Sequence, residues 1–302
     1  MPKEYVILSM TTIPSRENIF DIAINSLLSQ SYWFDKLIIN IDDEELFVKY
    51  QKYLDADYRI ELNLCEKKWK SCNKLLPTLK KYPNAVIITV DDDIIYPIDC
   101  IKKLVEKHEK FPNYIISHEN FPLLVDKKTK EIKYFLGFDA KLEQSQFGKY
   151  MSNCCLYPPH TFDGTDLFNY DDFMYVTLGY DDEMWFWINS VLKGVKSITL
   201  NYVFTFFTDG IENDSEKLSD YNIKRQEIYD LQIKRLNEKY GEKMYQIITN
   251  DLPEFFINND NAYLHAACSS YMKLFYTYGY KITLSTDVTS EYKKRLKEIY
   301  NF

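Results

Sequence analysis

Along the first hundred residues, short apolar runs alternate with longer stretches in which apolar residues recur every three or four positions. Tyr5–Met10 (YVILSM), Lys36–Ile41 (KLIINI), Ile60–Cys65 (IELNLC) and Ala85–Val90 (AVIITV) read as buried strands, since strands of a parallel sheet are covered on both faces. Between the first two, Ile19, Ile22, Ala23 and Leu27 fall at helical spacing behind Ser15, a candidate cap. Glu44 to Leu54 reads as a short helix, Ser71 to Lys81 as a helix whose start Pro77 obscures, and Pro97 to Lys110 as another. This β-α-β-α-β-α-β order predicts a mostly parallel sheet with right-handed crossovers and helices on both faces.

The middle of the chain is less regular. Tyr114–Glu119 reads as a strand, and runs around Leu123 and Tyr134 on either side of Lys127–Glu131 suggest a hairpin. Ser152–Pro159 suggests another strand, Asp181–Leu192 an aromatic-rich helix, and Val195–Leu200 a strand. After about Asp209 the chain becomes charged, with Leu218, Tyr221, Ile228 and Leu231 on one helical face of Ser215–Lys243. Tyr271, Leu274 and Phe275 point to more helix towards the end. The expected organisation is a catalytic and ligand-binding domain over residues 1–210 and a mainly helical extension over 211–302.

One strand ends abnormally. In VIITVDDDIIYP (Val86–Pro97) three consecutive acids follow a purely apolar run. Adjacent carboxylates repel and form strands poorly, so the strand should stop there. Either this is a solvated strand exit or it is a divalent-cation site at the carboxyl end of a sheet strand, where open α/β sheets place their ligands. In an extended exit, Asp91 and Asp93 point to one side and Asp92 to the other.

Three further stretches carry candidate chemistry. Lys67–Lys74 (KKWKSCNK) holds four lysines and follows the third strand, which puts it at the same sheet edge as the acids. It is either a solvated loop or a cationic bed for a diphosphate, with Lys74 the favoured residue. Thr11–Arg16 (TTIPSR), at the exit of the first strand, offers Thr11, Pro14 and Arg16 to a nucleotide base and phosphate; a helix-entry turn would look the same. Gly179–Gly194 (GYDDEMWFWINSVLKG) sets Asp181, Asp182 and Glu183 before Trp185, Phe186 and Trp187. A helix N-terminus accounts for one or two acids. Paired acids beside aromatic rings also suit acid/base chemistry on a sugar, with Asp181 and Trp185 on the acceptor side. His160, in YPPHTFD, reads as a loop residue.

Composition narrows the classes. The chain has 302 residues, 46% of them apolar, and a net charge of −8, which argues against a nucleic-acid partner. Only 8 residues are Gly, so Gly-rich phosphate loops are largely unavailable. The 6 cysteines show no C-x-x-C spacing and the histidines number only 4, which argues against the usual zinc patterns. A reduced, cytoplasmic compartment is expected. No apolar run approaches a membrane span, so any membrane association would be peripheral, at the inner face of the cytoplasmic membrane.

Five motifs occur in order: the first strand into TTIPSR, SLLSQSY (Ser26–Tyr32), TVDDDIIYP, YPP near residue 158, and DDEMWFW near residue 182. Together, over roughly residues 4 to 210, they resemble bacterial GT-A glycosyltransferases of the family-2-like kind, many of which act in capsule or surface-polysaccharide synthesis. The resemblance implies an α/β, Rossmann-like GT-A fold and a sugar-nucleotide donor with a saccharide or lipid-linked saccharide acceptor. It implies Mn²⁺ or Mg²⁺ held by Asp91 and Asp93, Asp93 being the direct ligand, with Asp92 beside the nucleotide. Asp42, at the end of the second strand, would recognise the base, and a uridine diphosphate donor is expected. The catalytic base of an inverting enzyme would come from Asp181–Asp182 or Asp182–Glu183; Asp182 belongs to both pairs and is preferred, with Glu183 the alternative. A sugar-nucleotide pyrophosphorylase needs a Gly-rich loop that TTIPSR lacks. A non-catalytic carbohydrate- or nucleotide-binding protein on the same fold stays open.

Overall fold

The computed structural model describes residues 4–65, 69–118, 120–121, 123–126, 129–134, 147–200 and 225–251. Its first half runs β1 (Val6–Thr11), α1 (Glu17–Leu28), β2 (Lys36–Ile41), α2 (Glu44–Tyr50), β3 (Ile60–Leu64), α3 (Leu76–Lys81), β4 (Val86–Val90) and α4 (Cys100–Lys110). There follow β5 (Ile115–Ser117), β6 (Asn120–Phe121), β7 (Leu123–Asp126), β8 (Glu131–Tyr134), β9 (Lys149–Tyr150) and β10 (Cys154–Tyr157). The rest is α5 (Tyr170–Thr177), α6 (Asp182–Lys193), β11 (Ser197–Thr199), α7 (Arg225–Leu236) and α8 (Glu242–Asp251).

Seven strands form one sheet in the order β11-β5-β10-β4-β1-β2-β3. β1 runs parallel to β2 and β4, with Leu8 opposite Leu37 and Ile88, and β2 runs parallel to β3. β10 is antiparallel to both β4 and β5. The chain therefore leaves β1 on one side for β2 and β3, then returns to its other side for β4. The carboxyl ends of β1 and β4 meet at this reversal, the place where open α/β sheets form a ligand crevice. β7 and β8 pair as the expected hairpin, and β6 pairs with β9.

Alternation along the strands feeds two cores. Val6, Leu8, Met10, Leu37, Ile39, Val86 and Ile88 face α1 and α4, meeting Phe20, Ile24, Ile101 and Leu104. Ile7, Ile38 and Ile87 face the other way, towards Leu75, Leu76, Met184, Trp185 and Ile188. Each such side chain, fully buried, contributes roughly 1.5–3 kcal/mol relative to exposure. Tyr229, Leu236, Tyr240, Met244 and Ile248 of α7, α8 and the π-turn between them join this second core.

A polar string runs through the sheet interior. Asn63 donates to the Asn40 side-chain carbonyl (2.8 Å), and Asn40 donates to the hydroxyls of Ser9 (3.2 Å) and Thr78 (3.0 Å). Ser9 in turn donates to the Lys74 carbonyl at 2.5 Å. The segment ahead of α3 is thereby fixed to β1 and β2.

Several local expectations change. Ser15 does not cap α1: Pro14–Arg16 forms a 3-10 turn, and the helix starts behind Arg16 without a side-chain cap. Ile22 is exposed, whereas Ile19, Ala23 and Leu27 are buried. Pro77 sits in the first turn of α3, where its missing N–H costs nothing. The buried face of α7 is Tyr229, Gln232 and Leu236, while Leu231 is exposed. Helix α5 was not anticipated from the pattern, although Asn169 caps it by accepting from the Asp172 N–H. Leu218, Tyr221, the expected boundary at 210 and the expected C-terminal helices lie outside the described residues.

Candidate active site

The chain leaves β4 after Val90 directly into a turn. Tyr96 closes that turn: its hydroxyl accepts from the Asp91 N–H at 2.7 Å and donates to the Asn153 carbonyl at 2.5 Å. Strand alternation no longer applies, and the expected pairing of Asp91 with Asp93 on one side is not formed. Asp91 turns to Lys74 (2.7 Å), whereas Asp93 turns to Arg16 (3.0 Å), whose guanidinium also approaches Asp92 at 4.0 Å.

Lys74 joins two parts of the chain. Its ammonium lies 2.7 Å from Asp91 and 3.2 Å from Asp182 at the start of α6. Ser152 completes the junction, its hydroxyl donating to Asp182 at 2.9 Å. Burial alone would push the Lys74 pKa down, but the charges of Asp182 and Asp91 outweigh it and the net shift is upward. Burial also pushes Asp182 up, yet Lys74, Ser71 and Ser152 outweigh it and hold the carboxyl below its ordinary value. Lys74 was expected to meet a diphosphate; in this structure it is already paired to two carboxylates.

A second ammonium organises the other acids. Lys149 on β9 lies 3.4 Å from Asp181 and 3.5 Å from Glu183. Asp181 caps α6, accepting from the Met184 N–H at 2.7 Å, while Glu183 accepts from the Ser152 N–H at 3.2 Å. Burial, opposed by Lys149, moves the Glu183 carboxyl up to about 7, close to where a general base works best.

The acids at the β4 exit carry hard oxygens. Burial pushes Asp92 up to about 6, against the lowering effects of Thr12 and Arg16. Its Oδ2 is buried without a hydrogen-bond partner among the described residues. An orphaned carboxylate oxygen beside two further carboxylates fits a hard divalent cation. Among the described residues no three His, Cys, Asp or Glu side chains are grouped to cage a metal alone, so a bound ion would take further oxygens from phosphate or water.

The remaining expected residues divide. Asp42 stands at the β2 exit and accepts from the Asn73 side chain at 3.3 Å. Thr11 donates its hydroxyl to the Asn40 carbonyl at 2.9 Å and so belongs to the sheet, while Pro14 is exposed at the rim. Trp185 is a correction. It is 0% exposed and donates its indole N–H to the Leu167 carbonyl at 2.9 Å. Phe186 and Trp187 are equally buried. This trio is core, and Trp185 cannot meet an acceptor. Lys149, Ser152 and Tyr96 were missed by sequence reasoning, since each draws on partners 30 or more residues away in the chain.

A sheet in this order, one antiparallel strand beside β4, and an acidic turn at the reversal point make up the α/β fold of GT-A glycosyltransferases. Among solved structures, the chain is similar to the mannosyltransferase PcManGT from Pyrobaculum calidifontis, determined with GDP-Man and Mn²⁺. The TM-score is 0.51 at 11% identity, over 99% of this chain and 88% of that one. It is also similar to residues 1–349 of S. aureus TarS, with a TM-score of 0.45 at 11% identity, over 97% of this chain and 77% of that one. No family model and no curated protein sequence matches the chain.

Proposed function

We propose that the protein is a metal-dependent glycosyltransferase that moves a sugar from a nucleotide diphosphate to a saccharide or lipid-linked saccharide acceptor, with inversion, in bacterial surface-polysaccharide synthesis. One observation carries the reading: Lys74 ties the acidic turn at the sheet reversal to the acids of α6, which would bring donor-side and acceptor-side chemistry together. Asp91 and Asp93, released from Lys74 and Arg16, would hold Mn²⁺ or Mg²⁺ beside the orphaned Asp92 oxygen, the ion supplying Lewis-acid stabilisation of the departing diphosphate. Arg16 and Lys74 would border that charge, and Asp42, at the β2 exit, would accept the imide N–H of uracil. The similar mannosyltransferase was determined with a guanosine nucleotide and Mn²⁺, which supports the metal and makes GDP the competing base.

Asp182 is the proposed general base, which Lys74 keeps ionised and which would take the acceptor hydroxyl proton as the bond to the anomeric carbon forms; Glu183, raised to about 7, is the alternative base. General-base help of this kind typically contributes 10²–10⁴-fold. Asp182→Asn should therefore bind donor and metal while losing at least ~100-fold in transfer. The test is to melt the protein with UDP or GDP and Mn²⁺, then follow transfer by the wild type, Asp182→Asn and Glu183→Gln, with product anomericity read by NMR. Full activity of Asp182→Asn, or retained configuration, refutes the assignment. Stabilisation by neither nucleotide refutes the donor class. Among the described residues no helix is long and apolar enough to cross a membrane.

A further inference from the structure

Beside the acids, three residues with left-handed backbone meet at one spot. They are Lys70 (φ 54°), Leu178 (φ 58°) and Gly179 (φ 73°). Leu178 ends α5 in a left-handed cap. Lys70 has no such duty, and a left-handed residue other than Gly is uncommon. Its ammonium lies 4.4 Å from the centroid of the Tyr180 ring. A Cβ on Gly179 would stand 3.2 Å from that ammonium and 2.9 Å from the Met174 sulfur. Gly179 thus allows both the backbone turn and the close approach of Lys70. Strain concentrated in this way is characteristic of functional positions.

The product of that strain is an exposed aromatic ring with an exposed cation. Tyr180 is 52% exposed, and Lys70 is exposed. Both adjoin the acid cluster: Tyr180 precedes Asp181, the cap of α6, and Lys70 precedes Ser71, whose hydroxyl acts on Asp182. Trp185 is buried, whereas Tyr180 exposes an aromatic surface. The chain carries a net charge of −8, which would repel an anionic acceptor unless a fixed cation received it.

We propose that Tyr180 and Lys70 form the acceptor subsite, the ring stacking on the C–H face of a pyranose and the ammonium pairing with an anionic substituent of the same saccharide. This rests on the glycosyltransferase reading, but its test needs neither donor nor turnover. Saturation-transfer NMR is recorded with methyl β-D-glucuronide, glucose 6-phosphate and the neutral methyl β-D-glucoside at millimolar concentration. In the wild type, transfer to the pyranose ring protons is expected for one or both anionic probes, and which one responds distinguishes a carboxylate from a phosphate. Tyr180→Phe should keep the signal and Tyr180→Ala should lose it, with melting temperatures showing that both are folded. Lys70→Met should weaken the anionic probes by roughly five- to tenfold, down to the level of the neutral one. No binding of an anionic probe by the wild type, binding unchanged in Tyr180→Ala, or equal binding of neutral and anionic probes overturns the subsite. Titration of the wild type with UDP or GDP and Mn²⁺ separately reads the donor site, so failure of one is distinct from failure of the other.

Discussion

Replacing Lys74 by Met removes the cation between Asp91 and Asp182 while keeping the length of the side chain. Lys74 and Asp182 keep only 8% and 12% side-chain exposure, and Asp91 keeps 27%. Breaking a buried ion pair by deleting one partner costs about 3–5 kcal/mol. The partial exposure of Asp91 places this case at the lower end, about 3 kcal/mol at neutral pH. The sign with pH follows from each group. Lys74, raised in the fold, contributes at every pH below its unfolded value of about 10.4, so it gives no slope between about pH 5 and 8. Asp182, depressed in the fold, stabilises above its unfolded value and loses that contribution as pH falls through the folded one. Without Lys74, both carboxylates protonate more readily, and the deficit of the variant should shrink towards about pH 4.5. Urea unfolding followed by tryptophan fluorescence, at neutral and acidic pH, measures it. A deficit under ~1 kcal/mol at neutral pH, or one that does not change with pH, would show that the Lys74 junction is not what it is taken to be. The double variant with Asp182→Asn should be less destabilised than the sum of the single variants, because one orphaned charge is gone.

Glu183, raised to about 7 mainly by burial, carries stabilisation below its unfolded value and loses it as pH rises through the folded one. Glu183→Gln should accordingly gain on the wild type by on the order of 2 kcal/mol between about pH 5 and 8.5 in thermal melts; a pH-independent difference would show the carboxyl is unshifted. Trp185→Ala should lose about 3–5 kcal/mol of stability, whereas Trp185→Phe should keep most of the transfer activity; normal stability with lost transfer would return Trp185 to the acceptor side. Calorimetry of UDP should show binding that needs Mn²⁺ or Mg²⁺ and fails in Asp93→Ala; equal affinity in EDTA would remove the metal from the site.

The parallel half of the sheet was legible because its strands are buried on both faces and so nearly uninterrupted in apolar sequence. The acids at the β4 exit were legible for the opposite reason, as charge where the pattern demands hydrocarbon. Where those acids point was not legible. Their directions are set by a turn that Tyr96 closes onto Asn153, 57 residues away in sequence. Lys149 was invisible in the same way, since its carboxylate partner Asp181 lies 32 residues on. Trp185 was readable and misread. All of Met184–Val191 is buried, and a helix apolar all round belongs inside a protein, not at its rim. An exposed ring stands just ahead of the helix, at Tyr180.

The polar string from Asn63 through Asn40 to Ser9 and Thr78 bears on how the chain finds its strand alignment. Because β1, β2 and β4 are apolar on both faces, sliding one past its neighbour by two residues would bury almost the same hydrocarbon. Hydrophobicity alone discriminates poorly between such alignments. Asn40, 0% exposed, finds its partners Ser9, Asn63 and Thr78 only when β1, β2, β3 and α3 are all in step. Every other alignment strands a buried amide, at about 1–3 kcal/mol for each unsatisfied group. The string thus serves as an index mark on otherwise interchangeable strands: an all-aliphatic version of this sheet would be greasier, and less certain of its own alignment.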